Sequence, residues 1–247
     1  MKRHLALVVL SLTTLLGNLA WAGSAREDAT DRLQNAADVL KEIAAAPDKG
    51  VPEEVLKNSK CIVVIPHLVK AGFIVGAKHG RGVAACRTSA GWSAPAFISV
   101  SGGSWGLQIG AEGVDLVMLV MNDSGLRHLL SSKFEITGEG SAAAGPVGRH
   151  ASAGTDWKLN TELLTYSRSR GIFAGLTLEG AVVEQDADST VAIYGSDVHF
   201  KKILLGDVAA PAPAAPFLRA VADISHQAAS QEAMEQAPED QKKEEQK

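Results

Sequence analysis

The chain has 247 residues, a formal net charge of -4, 46% hydrophobic and 21% charged residues, 24 glycines and two cysteines. That length suits one globular domain with tails, or at most two small domains. The apolar content excludes wholesale disorder, and only one apolar run approaches membrane-spanning length. Two cysteines exclude a disulfide-dense scaffold and a four-thiolate zinc site. The acidic balance argues against a global basic field, so no nucleic-acid partner is expected.

Lys2 and Arg3, the apolar run from Leu5 to Leu16 and the small-residue pattern Ala20-Trp21-Ala22 read as a signal peptide over residues 1–22. The expected location is therefore periplasmic or secreted, and losing Lys2 and Arg3 takes the net charge from -4 to -6. Leu33, Ala36, Ala37, Leu40 and Ile43 recur at helical spacing, which predicts an amphipathic helix over 24–46. It carries Arg26, Arg32 and Lys41 against Glu27, Asp28, Asp31, Asp38 and Glu42, and no Trp or Phe, so its stripe suits packing on a sheet. A short helix is expected from Pro52 to about Asn58.

From residue 60 the texture is β. CIVVIP (61–66), GFIVGAK (72–78), GVAAC (82–86), PAFISV (95–100) and VDLVMLVM (114–121) are short branched-chain runs separated by Gly, Ser and Pro. Asn122, Asp123 and Ser124 supply caps for a helix carrying Leu126, Leu129 and Leu130. LLTYSRS (163–169), IFAGLTLEG (172–180) and VAIYG (191–195) read as further strands. Nineteen of the 24 glycines fall between 71 and 180. Glycine inside strands marks bends, bulges or close backbone approach, so the expected fold is α+β with a strongly curved, mostly antiparallel, partly closed sheet. Residues 206–216, including AAPAPAAP, read as an extended Pro/Ala linker. Residues 217–236 read as a possible helix with Phe217, Val221 and Ile224 on one face, able to present a protein partner-binding segment. Residues 237–247 read as a disordered charged tail.

GGSWG (102–106) fits the nucleophile-elbow pattern with Ser104 in the nucleophile slot, the basis of a minor serine-esterase reading. An elbow needs a helix after the serine, and LQIGAEGVDLVMLV does not read as one. GFIVGAKHGRGV (72–83) lacks the phosphate-loop pattern and reads as a hairpin with its turn at 78–82. Its Lys78, His79 and Arg81, with Lys70 and Arg87 nearby, read either as solvated turn charges or as a local basic spot suited to anionic headgroups. In an oxidising compartment Cys61 and Cys86 read either as a disulfide or as two buried thiols in neighbouring strands. No carboxylate or histidine spacing indicates a metal, and no cofactor is expected.

IPHLVKAGFIVGAKHGRGV (65–83), GWSAPAFISVSGGSWGLQIGAEGVDLVMLVM (91–121), AAAGPVGR (142–149), SRSRGIFAGLTLEGAVV (167–183) and IYGSDV (193–198) occur in order along the chain. In these blocks the sequence resembles the SYLF domain, a lipid-binding module also described as actin-binding in yeast. The resemblance places N-terminal helices at 23–59 and the β-rich core at 60–205. It implies a non-enzymatic α+β module that associates with phospholipids, phosphoinositides in particular in eukaryotes, and an anionic phospholipid membrane as partner. The headgroup residues expected here are Lys70, Lys78, Arg81 and Arg87. The alternative is a structural or protein-interaction role in the envelope without direct lipid contact.

Overall fold

The computed structural model describes residues 24–45, 51–72, 75–105, 110–137, 142–145, 161–169, 172–175, 178 and 180–235. The expected signal peptide and charged tail lie outside these. Helix α1 (residues 24–44) opens the described chain, followed by α2 (Glu53–Asn58). The sheet then forms from β1 (Cys61–Gly72), β2 (Val75–Thr88), β3 (Gly91–Trp92), β4 (Ala96–Trp105) and β5 (Gly110–Val120). Helix α3 (Asp123–Leu130) interrupts it before β6 (Lys133–Glu135), β7 (Ala142–Ala144), β8 (Leu163–Ser169), β9 (Ile172–Gly175) and β10 (Ala181–Gln185). Helices α4 (Ala187–Tyr194), α5 (Phe200–Leu204) and α6 (Ala215–Glu235) close the described chain.

The strand order is β6-β10-β4-β2-β1-β5-β8-β7, with β3 on β2 and β9 on β8. All pairs are antiparallel except β7 with β8. The result is the curled α+β half-barrel that the glycine distribution predicts. Side-chain alternation divides the core into two layers. On one face Ile62, Val64, Val83, Ala85, Phe97, Val117, Leu119, Leu164 and Tyr166 pack under α1, α2, α4 and α6. On the other, Val63, Ile65, Leu68, Ile98, Val100, Leu116 and Met118 pack with α3 and α5. That second face is the concave one. A Cβ at Gly80, Gly82 or Gly102 would point into it and meet neighbouring atoms at 2.7, 2.3 and 2.9 Å. Such crowding is what bending a sheet toward that face produces, and glycine relieves it.

Helix α1 docks on the convex face through Ala29, Leu33, Ala36, Ala37, Leu40 and Ile43, each at most 4% exposed. Its apolar stripe is therefore spent on the sheet. Among the described residues no helix is long and apolar enough to cross a membrane.

Three local expectations need correction. The turn placed at 78–82 is continuous β2, because Gly80 and Gly82 are strand residues over which Ile65 and Leu68 pass. The strand expected at 191–195 is the end of α4: Asp186 caps that helix by accepting from the Ser189 amide at 3.1 Å, and Gly195 ends it with φ +77°. That local capping outweighs the β preference of Val191, Ile193 and Tyr194. The stretch read as an extended linker joins no detached segment. Ala214 is fully buried in a short 3-10 turn (Ala212–Ala214), and α6 follows directly with Phe217, Ala220, Val221 and Ile224 in the core. Those apolar residues are thus unavailable for display to a protein partner.

Candidate functional site: the basic hairpin end of the sheet

The β1–β2 pair carries most of the residues singled out for headgroup contact, and register decides which of them meet. Lys70 pairs with Lys78 directly across the two strands. By alternation both point to the concave face, Lys70 half-buried and Lys78 only 8% exposed. The Lys78 stem crosses β4 at Gly102, where an added Cβ would lie 2.9 Å from its Cε.

Arg81 points to the opposite, convex face, in register with Ser99. There its Nε lies 3.9 Å from Asp186 Oδ2. Exposed His79 shares that face with Val69, its register partner. A bulge in β1 places His67 at the same end, with φ +57° and its amide donating to Asp115 Oδ1 at 3.1 Å.

Arg87 does not belong to this group. It lies nine residues along β2 from Lys78, about 30 Å in an extended strand. Its guanidinium donates to the carbonyls of Ser59 (2.9 Å) and Leu56 (3.2 Å) and stacks 4.5 Å over the Trp92 ring. It satisfies the carbonyl end of α2 and ties that helix to β2. The sequence signal that it shared with the others was basic charge alone. Arg87→Met is expected to lower stability by about 1–2 kcal/mol in a urea melt while leaving vesicle binding unchanged; weakened binding without lost stability would return Arg87 to the contact surface.

Two ion clusters on the convex face were not legible from sequence. Arg32 of α1 donates to Asp186 Oδ2 at 2.9 Å and to the Ser189 hydroxyl oxygen at 3.0 Å, with both members of the ion pair 8% exposed. Burial pushes the Asp186 carboxyl up, but the Ser189 amide and hydroxyl together with Arg32 outweigh it and hold it below the ordinary carboxylate value. At the other end of α1, Glu42 meets Arg168, whose Nε donates to Asp115 Oδ2 at 3.0 Å. Asp186, Asp115 and Glu42 are thus engaged with partners of their own.

Cys61 and Cys86 face each other across β1 and β2 at the far end of the hairpin and are joined by a disulfide, their Cα atoms 3.9 Å apart. Ser104 lies within β4, in register with Gly76. A nucleophile elbow requires a sharp strand-to-helix turn at the serine, which a ladder-paired strand position does not provide. Among the described residues no three His, Cys, Asp or Glu side chains gather to hold a metal.

Sequence comparison sets this half-barrel in a lineage: the chain belongs to the Ysc84/SYLF family. Residues 101–224 match the family described as "Ysc84: Las17-binding protein actin regulator". The chain is similar to SH3 domain-containing YSC84-like protein 1 of Rattus norvegicus, with 33% identity over 188 residues, 73% of this chain and 55% of the relative. It is also 35% identical over 173 residues to SH3 domain-containing protein PJ696.02 of Schizosaccharomyces pombe, covering 68% and 40% of the two chains. Protein YSC84 of Saccharomyces cerevisiae is 33% identical over 176 residues, 70% and 37% respectively. The chain spans about half the length of its mammalian relatives and less of the yeast ones.

Proposed function

We propose that this protein is a non-enzymatic, exported membrane-associating module that binds anionic phospholipid through the basic end of the β1–β2 hairpin. The observation that carries this reading is the cross-strand pairing of Lys70 with Lys78 on one face. Arg81 adds charge on the other face of the same strand. Near an anionic surface each exposed cation contributes about 1 kcal/mol, about fivefold in affinity per residue. The docked state of α1 and its net acidic composition favour contact through the hairpin rather than through that helix.

The test is sedimentation of the chain with phosphatidylcholine vesicles, with and without phosphatidylglycerol, between about 0.05 and 0.5 M salt. Binding only to the anionic vesicles, declining with salt, is expected. Equal binding to both vesicle types, or none to either, contradicts the proposal. The description of the family as a Las17-binding actin regulator supports a second reading, a protein-interaction module. Its partner would have to use a surface other than the buried stripe of α6. A protein partner captured by a chain that ignores both vesicle types would favour it.

A further inference from the structure

We propose that β7 and the Gly145 that follows it form a strap that opens and closes over Tyr166 while the rest of the sheet stays folded. The carrying observation is the Tyr166 hydroxyl. The residue is 1% exposed, yet among the described residues its hydroxyl has no hydrogen-bond partner. Burial also pushes the phenol pKa up, so the group stays an O–H donor without an acceptor across the ordinary pH range. A buried polar group left unsatisfied loses its hydration and gains nothing in return. The closed arrangement therefore carries a penalty that local opening removes.

Gly145 shows what closes over the ring. A Cβ built on it would collide with Cζ, Cε1 and Cε2 of Tyr166, the end of the ring that bears the hydroxyl. Only a residue without a side chain lets the backbone lie there. The attachment of this backbone is slight. β7 ends the strand order, and its ladder runs to β8, where Ala142, Ala143 and Ala144 pair with Leu163, Leu164 and Thr165. Beyond the ladder, the Gly145 amide donates to the Thr165 carbonyl at 2.9 Å and the Thr165 hydroxyl donates to the Ala143 carbonyl at 3.0 Å. Alanine methyls bury little apolar area, and Ala144 is exposed. The pairing is also the parallel one in an otherwise antiparallel sheet, the slightly weaker kind per residue. The other side of β8 is firmly held. It pairs with β5 from Leu163 to Arg168, and Arg168 donates to Asp115 at 3.0 Å. An orphan hydroxyl and a lightly held backbone thus meet at one point, which makes the opening local. Opening hydrates the hydroxyl and frees the Leu163–Thr165 edge of β8 from β7, the kind of edge that accepts a further extended strand.

The test is native-state amide hydrogen exchange of the whole chain, followed by NMR, on wild type, Tyr166→Phe and Gly145→Ala. The Gly145 amide is expected to exchange about a hundredfold or more faster than the slowest amides of β1 and β5, at a rate that dilute urea leaves unchanged. Tyr166→Phe removes the penalty on the closed strap and keeps the ring, so it should slow that exchange by about fivefold or more. Gly145→Ala should act in the opposite direction, with protection lost at position 145 and kept in β1 and β5. Three results overturn the proposal. One is Gly145 exchange as slow as that of β1, which means that the strap opens only when the whole fold does. Another is exchange that Tyr166→Phe leaves unchanged or speeds, which means that the hydroxyl does not oppose closure. The third is protection lost from β1 and β5 as well in Gly145→Ala, which means that the strap is not a separate unit.

Discussion

Asp186→Ala is expected to destabilise the protein by about 3–5 kcal/mol, because it leaves a buried guanidinium without its counter-charge. Arg32 is 8% exposed and reaches Asp186 at 2.9 Å, with its guanidinium also 5.7 Å from the centre of the Phe97 ring. With the carboxylate gone, Arg32 must either stay buried and unpaired or pull α1 away from the sheet. The same substitution removes the cap of α4, which costs about a further 1 kcal/mol. Arg81, 55% exposed and 3.9 Å away, adds little to the loss. Asp186→Asn keeps a capping oxygen and removes the charge, so it separates the two contributions.

The sign with pH follows from the lowered carboxyl. A carboxylate with a folded value below the unfolded one, about 3.9, contributes stability that is present above that value. This stability disappears as pH falls through the lower folded value. Urea unfolding should therefore show the gap between wild type and Asp186→Asn narrowing from pH 7 towards pH 2. A gap that is constant over that range would mean that the ion pair does not hold α1.

Gly82→Ala is the second large effect, expected to cost about 3 kcal/mol or more by overpacking. The new Cβ would lie 2.3 Å from the Val64 carbonyl oxygen and 2.7 Å from Ile65 Cγ1. The oxygen belongs to the backbone of β1, which is held on both sides by β2 and β5, so it cannot move without breaking pairing. Gly113→Ala is the control, since nothing lies within 4 Å of its added Cβ. There the change should be neutral or slightly stabilising, because Ala costs less chain entropy than Gly. Thermal melts that rank the two variants in the opposite order would contradict the account of the glycines as relief for curvature.

The strands whose apolar runs are bounded by polar or turn residues were legible. LLTYSRS became β8 residue for residue, and Asn122 caps α3 by accepting from the Gly125 amide at 2.9 Å. The α1 stripe was also readable, because its helical period survives burial. The path of β2 was not, since a glycine that permits a bent strand looks in sequence like a glycine that breaks one. Gly80 and Gly82 are told apart from turn glycines only by Ile65 and Leu68, which reach them through pairing with β1. The α4 segment misled because Val191, Ile193 and Tyr194 suit a strand in isolation, and the deciding signal was the upstream cap at Asp186.

Within the candidate site, proximity in sequence gathered Lys70, Lys78 and Arg81, but the two-residue alternation of a strand separates Arg81 from the lysines. Lys70 and Lys78 share a face because the β1 bulge at His67 resets the register. The partners of Arg32 and Arg168 lie 154 and 53 residues away. No local pattern encodes such pairings, so the charges that lock α1 to the sheet became visible only in the fold.

The most direct measurement compares two double charge reversals of equal size at opposite ends of the sheet. Lys70→Glu with Lys78→Glu alters the hairpin end, whereas Lys57→Glu with Lys60→Glu alters the end near α2 and the start of β1. Sedimentation of both variants with phosphatidylglycerol vesicles at one ionic strength should show binding lost for the first pair and largely kept for the second. Equal loss from both would show that net charge alone, and not the basic hairpin end, draws the protein to a membrane.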